Sequence, residues 1–217
     1  MKPFDLPGQF GLLEQSALLI NECQRGLLEA EHSVLPAITE HAAARQIVPK
    51  IAALAGAFRV RGLPVIYINV EHRADFAGVS INNPAVAYIR HKKGLVEGSQ
   101  QVEVVAELAP QTADHIVRRY SGMTAFYGNQ LESLLHNLDC KCLVLAGVST
   151  NAAVPGMMLG GLDRGYQIII PEDAIAGSGQ EAHDAIIKHM LSPLATMTTS
   201  ASLISALNPP NLYQQTD

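Results

Sequence analysis

Apolar residues in this chain fall into short unbroken runs. Between the runs they recur every three or four positions, the alternation expected of buried parallel strands joined by amphipathic helices. Residues 16–22 (SALLINE) predict the first strand, and residues 64–70 (PVIYINV), β-branched and aromatic, predict the second. Residues 114–119, 141–147 and 167–171 follow as strands three to five, and a last short strand surrounds 196–199. Residues 39–62 read as a helix with Ile47, Ile51, Leu54, Ala55 and Phe58 on one face and Gly62 as its stop. Further helices are expected over 129–138, from near Asn151, from near Gln180 and over 200–207. The interval 71–99 carries breakers at Asn82-Asn83-Pro84 and Gly94 and reads as one long irregular loop, a length met in lids and binding loops. The sum is one three-layer αβα domain over residues 1–217: a six-stranded, mainly parallel sheet with helices on both faces and loosely held tails.

Composition narrows the possibilities. With 48% apolar and 16% charged residues among 217, the chain has ample material for a core and none of the bias of disorder. The net charge is −5 and basic residues are scattered, with pairs at Lys92-Lys93 and Arg118-Arg119, which argues against a nucleic-acid face. No apolar run approaches the roughly 20 residues of a membrane span, and the N-terminus lacks the basic-then-apolar order of a signal peptide. Cys23, Cys140 and Cys142 are sparse and odd in number, which fits free thiols in a reducing cytoplasm.

In an open parallel sheet, ligands sit beyond the carboxyl ends of the strands. Those ends are Glu22-Cys23-Gln24, Glu71-His72-Arg73, Arg118-Arg119-Tyr120, Ser149-Thr150-Asn151 and Glu172-Asp173. A carboxylate, an arginine and a small-residue helix start thus converge on one edge. The expected site is a polar pocket for a small molecule.

Several of these segments resemble motifs of the isochorismatase-like cysteine hydrolases, over roughly residues 16–201. Glu22-Cys23-Gln24 stands where that family has Asp-x-Gln. The run from Arg119 through Tyr120-Ser121-Gly122 to Phe126, with Gly128-Asn129-Gln130-Leu131, stands where it has a lysine, a Tyr-Ser-Ala-Phe relative and Gly-Thr-x-Leu. Gly147-Val148-Ser149-Thr150-Asn151-Ala152-Ala153-Val154 stands for Gly-x-x-Thr-x-x-Cys-Val, and Arg164-Gly165-Tyr166 with Glu172-Asp173-Ala174 closes the match. The resemblance implies catalytic positions at Glu22, Arg119 and Ala153, with the nucleophile position inert. Gln24, His72, Tyr120, Phe126, Ser149, Thr150 and Asn151 are the candidate substrate-binding residues, with Tyr127 beside them. An alanine methyl cannot attack a carbonyl, and arginine stays protonated at any working pH, so the family's thioester chemistry does not carry over.

Two readings remain. In one, the protein is a hydrolase acting on a C–N amide or imide bond, or a vinyl ether, of a small polar or anionic metabolite. Glu22 then donates a proton, Arg119 binds a carboxylate and water is the nucleophile. An apolar pocket would raise the Glu22 pKa and Arg119 would lower it, and the sequence leaves that balance open. In the other reading the protein is a pseudoenzyme that binds a ligand or serves as an assembly partner.

Lesser candidates have plainer roles. Cys23 follows Glu22 directly and should turn away from it, into the core. Ser149 and Thr150 are possible nucleophiles, but Thr150 or Asn151 is better suited to capping the next helix. Cys140 and Cys142 flank Lys141 with no histidine pair nearby, and the histidines show no metal-binding spacing; His72 with Glu71 and Asp75 is the nearest thing to a ligand set. No metal or other cofactor is expected. The offset from Asp114 and Phe126 favours Arg119 over Arg118 as the lysine equivalent. By resemblance, a non-proline cis peptide is expected at Ser149-Thr150, shaping an oxyanion hole. Also by resemblance, the chain is expected to form a homodimer or homotetramer, with the 71–99 loop closing a neighbour's pocket.

Overall fold

The computed structural model describes residues 12–208. Strand β1 (Ser16–Asn21) is buried along its whole length because both faces of the sheet are covered. Leu18 and Ile20 enter one apolar core, Ala17 and Leu19 the other. A strand serving two cores must be apolar at nearly every position, which is why it appears in the sequence as an unbroken run. The same holds for β2 (Val65–Val70) and β4 (Cys142–Val148). β3 (His115–Arg119) lies at the sheet edge and buries only Val117 and Arg119. β5 (Gln167–Pro171), β6 (Ile175–Ala176) and β7 (Thr196–Thr198) complete the sheet.

Among the described residues all pairings between the named strands are parallel, in the order β3-β2-β1-β4-β5-β7, with β6 beside the end of β4. Among the described residues the sheet therefore has seven strands rather than six. β6 is two residues long, too short for any periodicity to announce. Helices α2 (Pro36–Arg45), α3 (Ile47–Val60) and α8 (Ser200–Leu207) cover one face, after the short α1 (Arg25–Leu28). α5 (Leu131–Asn137), α6 (Ala153–Leu162) and α7 (Gln180–Ile186) cover the other. Among the described residues no helix is long and apolar enough to cross a membrane. The expectation of loose tails concerns residues outside those described.

Two helical expectations change. The helix read over 39–62 is two helices, broken at Gln46, whose φ is +51°. Pro49 explains the break: it has no N–H for the Arg45 carbonyl, and its ring would strike that carbonyl in a continuous helix. Lys50 Nζ donates to the Arg45 carbonyl instead, at 2.9 Å. The predicted face is real, since Ile47, Ile51, Leu54, Ala55 and Phe58 are all buried. The interval 71–99 is not one loop. It contains α4 (Pro84–His91), and the supposed breakers are its start: Asn83 accepts a hydrogen bond from the Val86 N–H at 3.0 Å, and Pro84 occupies the first turn.

Strand order reverses direction between β1 and β4, and at such a switch point an open α/β sheet leaves a crevice at its carboxyl edge. Asn21 and Gly147 are register partners there. Gly147 has φ +102°, and a Cβ on it would fall on the Asn21 carbonyl oxygen, so only glycine admits this approach.

Candidate active site

A cavity of about 730 Å³ opens at that crevice. Glu22 follows β1 directly, in a left-handed backbone conformation (φ +52°) uncommon for a residue with a side chain. Its N–H remains tied to the Ile68 carbonyl at 2.8 Å, so the turn hangs from the sheet. Cys23, next in the chain, turns into the core, and burial raises its thiol pKa well beyond the usual range. Alternation across the strand end thus gives the cavity a carboxyl and the core a sulfur.

Arg119 arrives from the end of β3, 7% exposed. Its guanidinium donates to the Glu22 carboxylate and to the Gly122 carbonyl. Arg118 points out and pairs with Glu71 at 2.9 Å. Burial holds the Glu22 carboxyl above its ordinary pKa, although the charge and hydrogen bond of Arg119 pull it down. Desolvation is therefore the larger effect, the balance the sequence left open.

Ala153 opens α6 and lines the cavity with Glu22 and Arg119. His72, Ser149 and Asn151 line it too. Burial lowers the His72 pKa below its ordinary 6.5, which favours the neutral ring. Its Nδ1–H donates to the Tyr120 carbonyl at 3.1 Å, leaving Nε2 as an acceptor. Asn151 Oδ1 accepts from the Ser178 N–H at 3.0 Å.

Four candidate residues do not reach the cavity. Gln24 is a buried clip: its Nε2 donates to the Val70 and Val102 carbonyls at 2.9 and 3.0 Å, and its Oε1 accepts from the Val70 N–H at 2.8 Å. Tyr120 is half exposed and offers only its carbonyl, to His72. Phe126 packs in the opposite core, with Tyr166 beside its ring and the Arg164 guanidinium 4.5 Å over it. Thr150 is buried, its hydroxyl 2.9 Å from His183 Nδ1 and its N–H bound to the Ala176 carbonyl. Neither Thr150 nor Asn151 caps α6; the cap position is Ala152, which makes no side-chain bond. The cis peptide is Val148-Ser149, one residue earlier than expected, at the very end of β4, where Val148 pairs with Ala176 of β6.

The structure also brings in residues the sequence did not single out. Asn21 donates its amide to the Val148 carbonyl and hydrogen-bonds Glu22, so it ties β1, the β4 turn and the carboxyl together. Leu35, Ile38 and Met123 form part of the wall, as do residues of α4. Among the described residues no group of three or more His, Cys, Asp or Glu side chains is placed to hold a metal. Glu71 and Asp75, the neighbours of His72, are paired with Arg118 and Arg73.

Known proteins share this plan. A cysteine hydrolase from Pseudomonas syringae pv. phaseolicola superposes with a TM-score of 0.78 at 21% identity, covering 89% of this chain and 92% of that one. The isochorismatase family protein YecD of Escherichia coli O157:H7 is 29% identical over 83% of this chain and 94% of its own. The ureidoacrylate amidohydrolase RutB of Pantoea ananatis is 28% identical over 77% and 72%. Residues 16–202, from the first residue of β1 into α8, match the isochorismatase domain, and the chain belongs to the isochorismatase family.

Proposed function

We propose that the protein hydrolyses the C–N bond of a small amide without an acyl-cysteine intermediate, using Glu22 to move the proton. The observation that carries this reading is a carboxyl with a raised pKa, hydrogen-bonded to Arg119 and sharing a cavity with the start of α6. A carboxyl whose pKa lies nearer neutrality serves both as base and, once protonated, as acid. Glu22 takes a proton from water as the hydroxide adds to the amide carbonyl. The protonated carboxyl then gives that proton to the departing nitrogen. At the start of α6 the Val154 N–H is bonded to the Ser149 carbonyl, the Gly156 N–H to the Ala152 carbonyl, and Pro155 has no N–H, so the backbone donor offered to a developing oxyanion there is that of Ala153. Arg119 holds the carboxyl in place and transfers no proton. The amidohydrolase among the relatives supports C–N chemistry for this branch.

Glu22→Gln is the test. On an amide that the protein turns over, the substitution should lower kcat by about 10²–10⁴-fold, the usual share of a positioned acid–base group. Unchanged turnover would remove Glu22 from the chemistry.

A second reading draws on a specific observation: Ala153 presents only a methyl group, and the Arg119 fork is engaged by Glu22 and Gly122. A pocket so arranged also suits binding alone. Tight ligand binding with no turnover across a panel of amides, imides and vinyl ethers would favour it.

A further inference from the structure

The cavity is large for the bond it would cleave. At about 730 Å³ it lies in the range of pockets that enclose drug-sized molecules, far beyond an amide group and its immediate neighbours. Its charges are concentrated at one place. Among the described lining residues, Glu22 and Arg119 are an ion pair whose charges balance, and burial disfavours a charge on His72. No net positive charge is left on the wall to meet a carboxylate or phosphate, although the buried Arg119 Nε has no hydrogen-bond partner, and desolvating an anion against such a wall is costly. Away from that pair the wall is mostly apolar, through Leu35 and Ile38 at the start of α2, Val79, Val86 and Ile89 on and before α4, and Met123, with Ser80, Asn82 and Asn83 as polar interruptions just before α4.

We infer that the site takes an uncharged amide bearing an extended apolar substituent. The amide lies at the Glu22–Arg119 end and the substituent runs along the wall between α2 and α4. The inference rests on the reading above, which puts the reacting group beside Glu22, and it changes the expected ligand from a polar or anionic metabolite to an amphiphilic neutral one.

The test reads binding rather than turnover, so that the two proposals can fail separately. Linear primary alkanamides of four to ten carbons, with the matching alkanoates and alkylammonium ions, are titrated calorimetrically into the full-length protein. Affinity should rise about fourfold per methylene until the wall is covered. Each amide should bind at least tenfold more tightly than its carboxylate. Val86→Asp should flatten the chain-length dependence, and Ile89→Ser, a gentler change at a partly buried position, should reduce it. Both variants are checked for native circular dichroism. Affinity that ignores chain length, a carboxylate that binds as well as its amide, slopes unchanged in both folded variants, or no binding at any length would each overturn the inference. If the chain-length trend holds but no amide is hydrolysed, the assignment of hydrolysis falls and the ligand class stands. If only short polar amides are hydrolysed, the reverse is true.

Discussion

Glu22 has a left-handed backbone, a mostly buried carboxyl, its side chain 14% exposed, and one cationic partner, and each of these follows from its place just past the end of β1. Because desolvation outweighs the pull of Arg119, the acid limb of the kcat/KM profile should lie above the ordinary carboxylate range rather than below it. Arg119→Met removes the effect that lowers the pKa, so the limb should move to still higher pH; a downward shift would contradict the assignment. His183 gives a second pH effect, on stability. Burial depresses its pKa from 6.5 to about 4, while its Nδ1 faces the Thr150 hydroxyl. Between those values the unfolded chain binds more protons than the folded one, so stability rises with pH through this window and is lost as pH falls from 6.5 toward 4. The full shift corresponds to at most about 3 kcal/mol. Thermal melts from pH 4 to 7 should show a weaker acid loss in His183→Gln than in the parent protein.

At the level of elements, the site depends on how closely β1 and β4 approach. Gly147→Ala places a methyl on the Asn21 carbonyl and demands an unfavourable φ, so it should cost more than about 2 kcal/mol in denaturant unfolding. A neutral outcome would mean that the juncture relaxes more easily than its register implies. Element boundaries were legible where a local chemical reason existed. Gly62 marks the end of α3 because the chain turns left-handed there, at φ +67°. Pro49 carried the signal for the α2–α3 break, and Asn83-Pro84 the signal for the start of α4. Both were readable as local chemistry, but a run of helical spacing and a cluster of turn-forming residues concealed them.

Across the whole molecule, burial is uneven in a way that should appear in amide hydrogen exchange. β1, β2 and β4 are fully buried between two cores, whereas α4 has no buried residue. Exchange over 84–91 should proceed by local opening, orders of magnitude faster than over 16–21 and 142–148. Equal protection of α4 and the central strands would show that the cavity wall is as rigid as the sheet. Bound ligand should slow exchange in α4 more than in any central strand, because only α4 has stability left to gain.

The sequence by itself determined the class of fold and the succession of its long strands along the chain, and the family resemblance supplied the candidate positions 22, 119 and 153. Burial from both sides of a parallel sheet imposes unbroken apolar runs, and the rule that ligands gather at strand ends then names the residues that follow them. Direction was beyond its reach. Gln24, Tyr120 and Thr150 follow their strands within three residues, as Glu22 and Ser149 do, yet Gln24 becomes a clip, Thr150 is buried against His183 and Tyr120 stays half exposed, while Phe126, further along, enters the opposite core. Which way a side chain leaves the sheet edge depends on the turn it sits in and on what packs behind it. The balance between burial and Arg119 at Glu22, the arrival of α2 and α4 as an apolar wall, and the role of Asn21 were likewise decided by the tertiary structure, since each depends on the distance between groups that are remote along the chain.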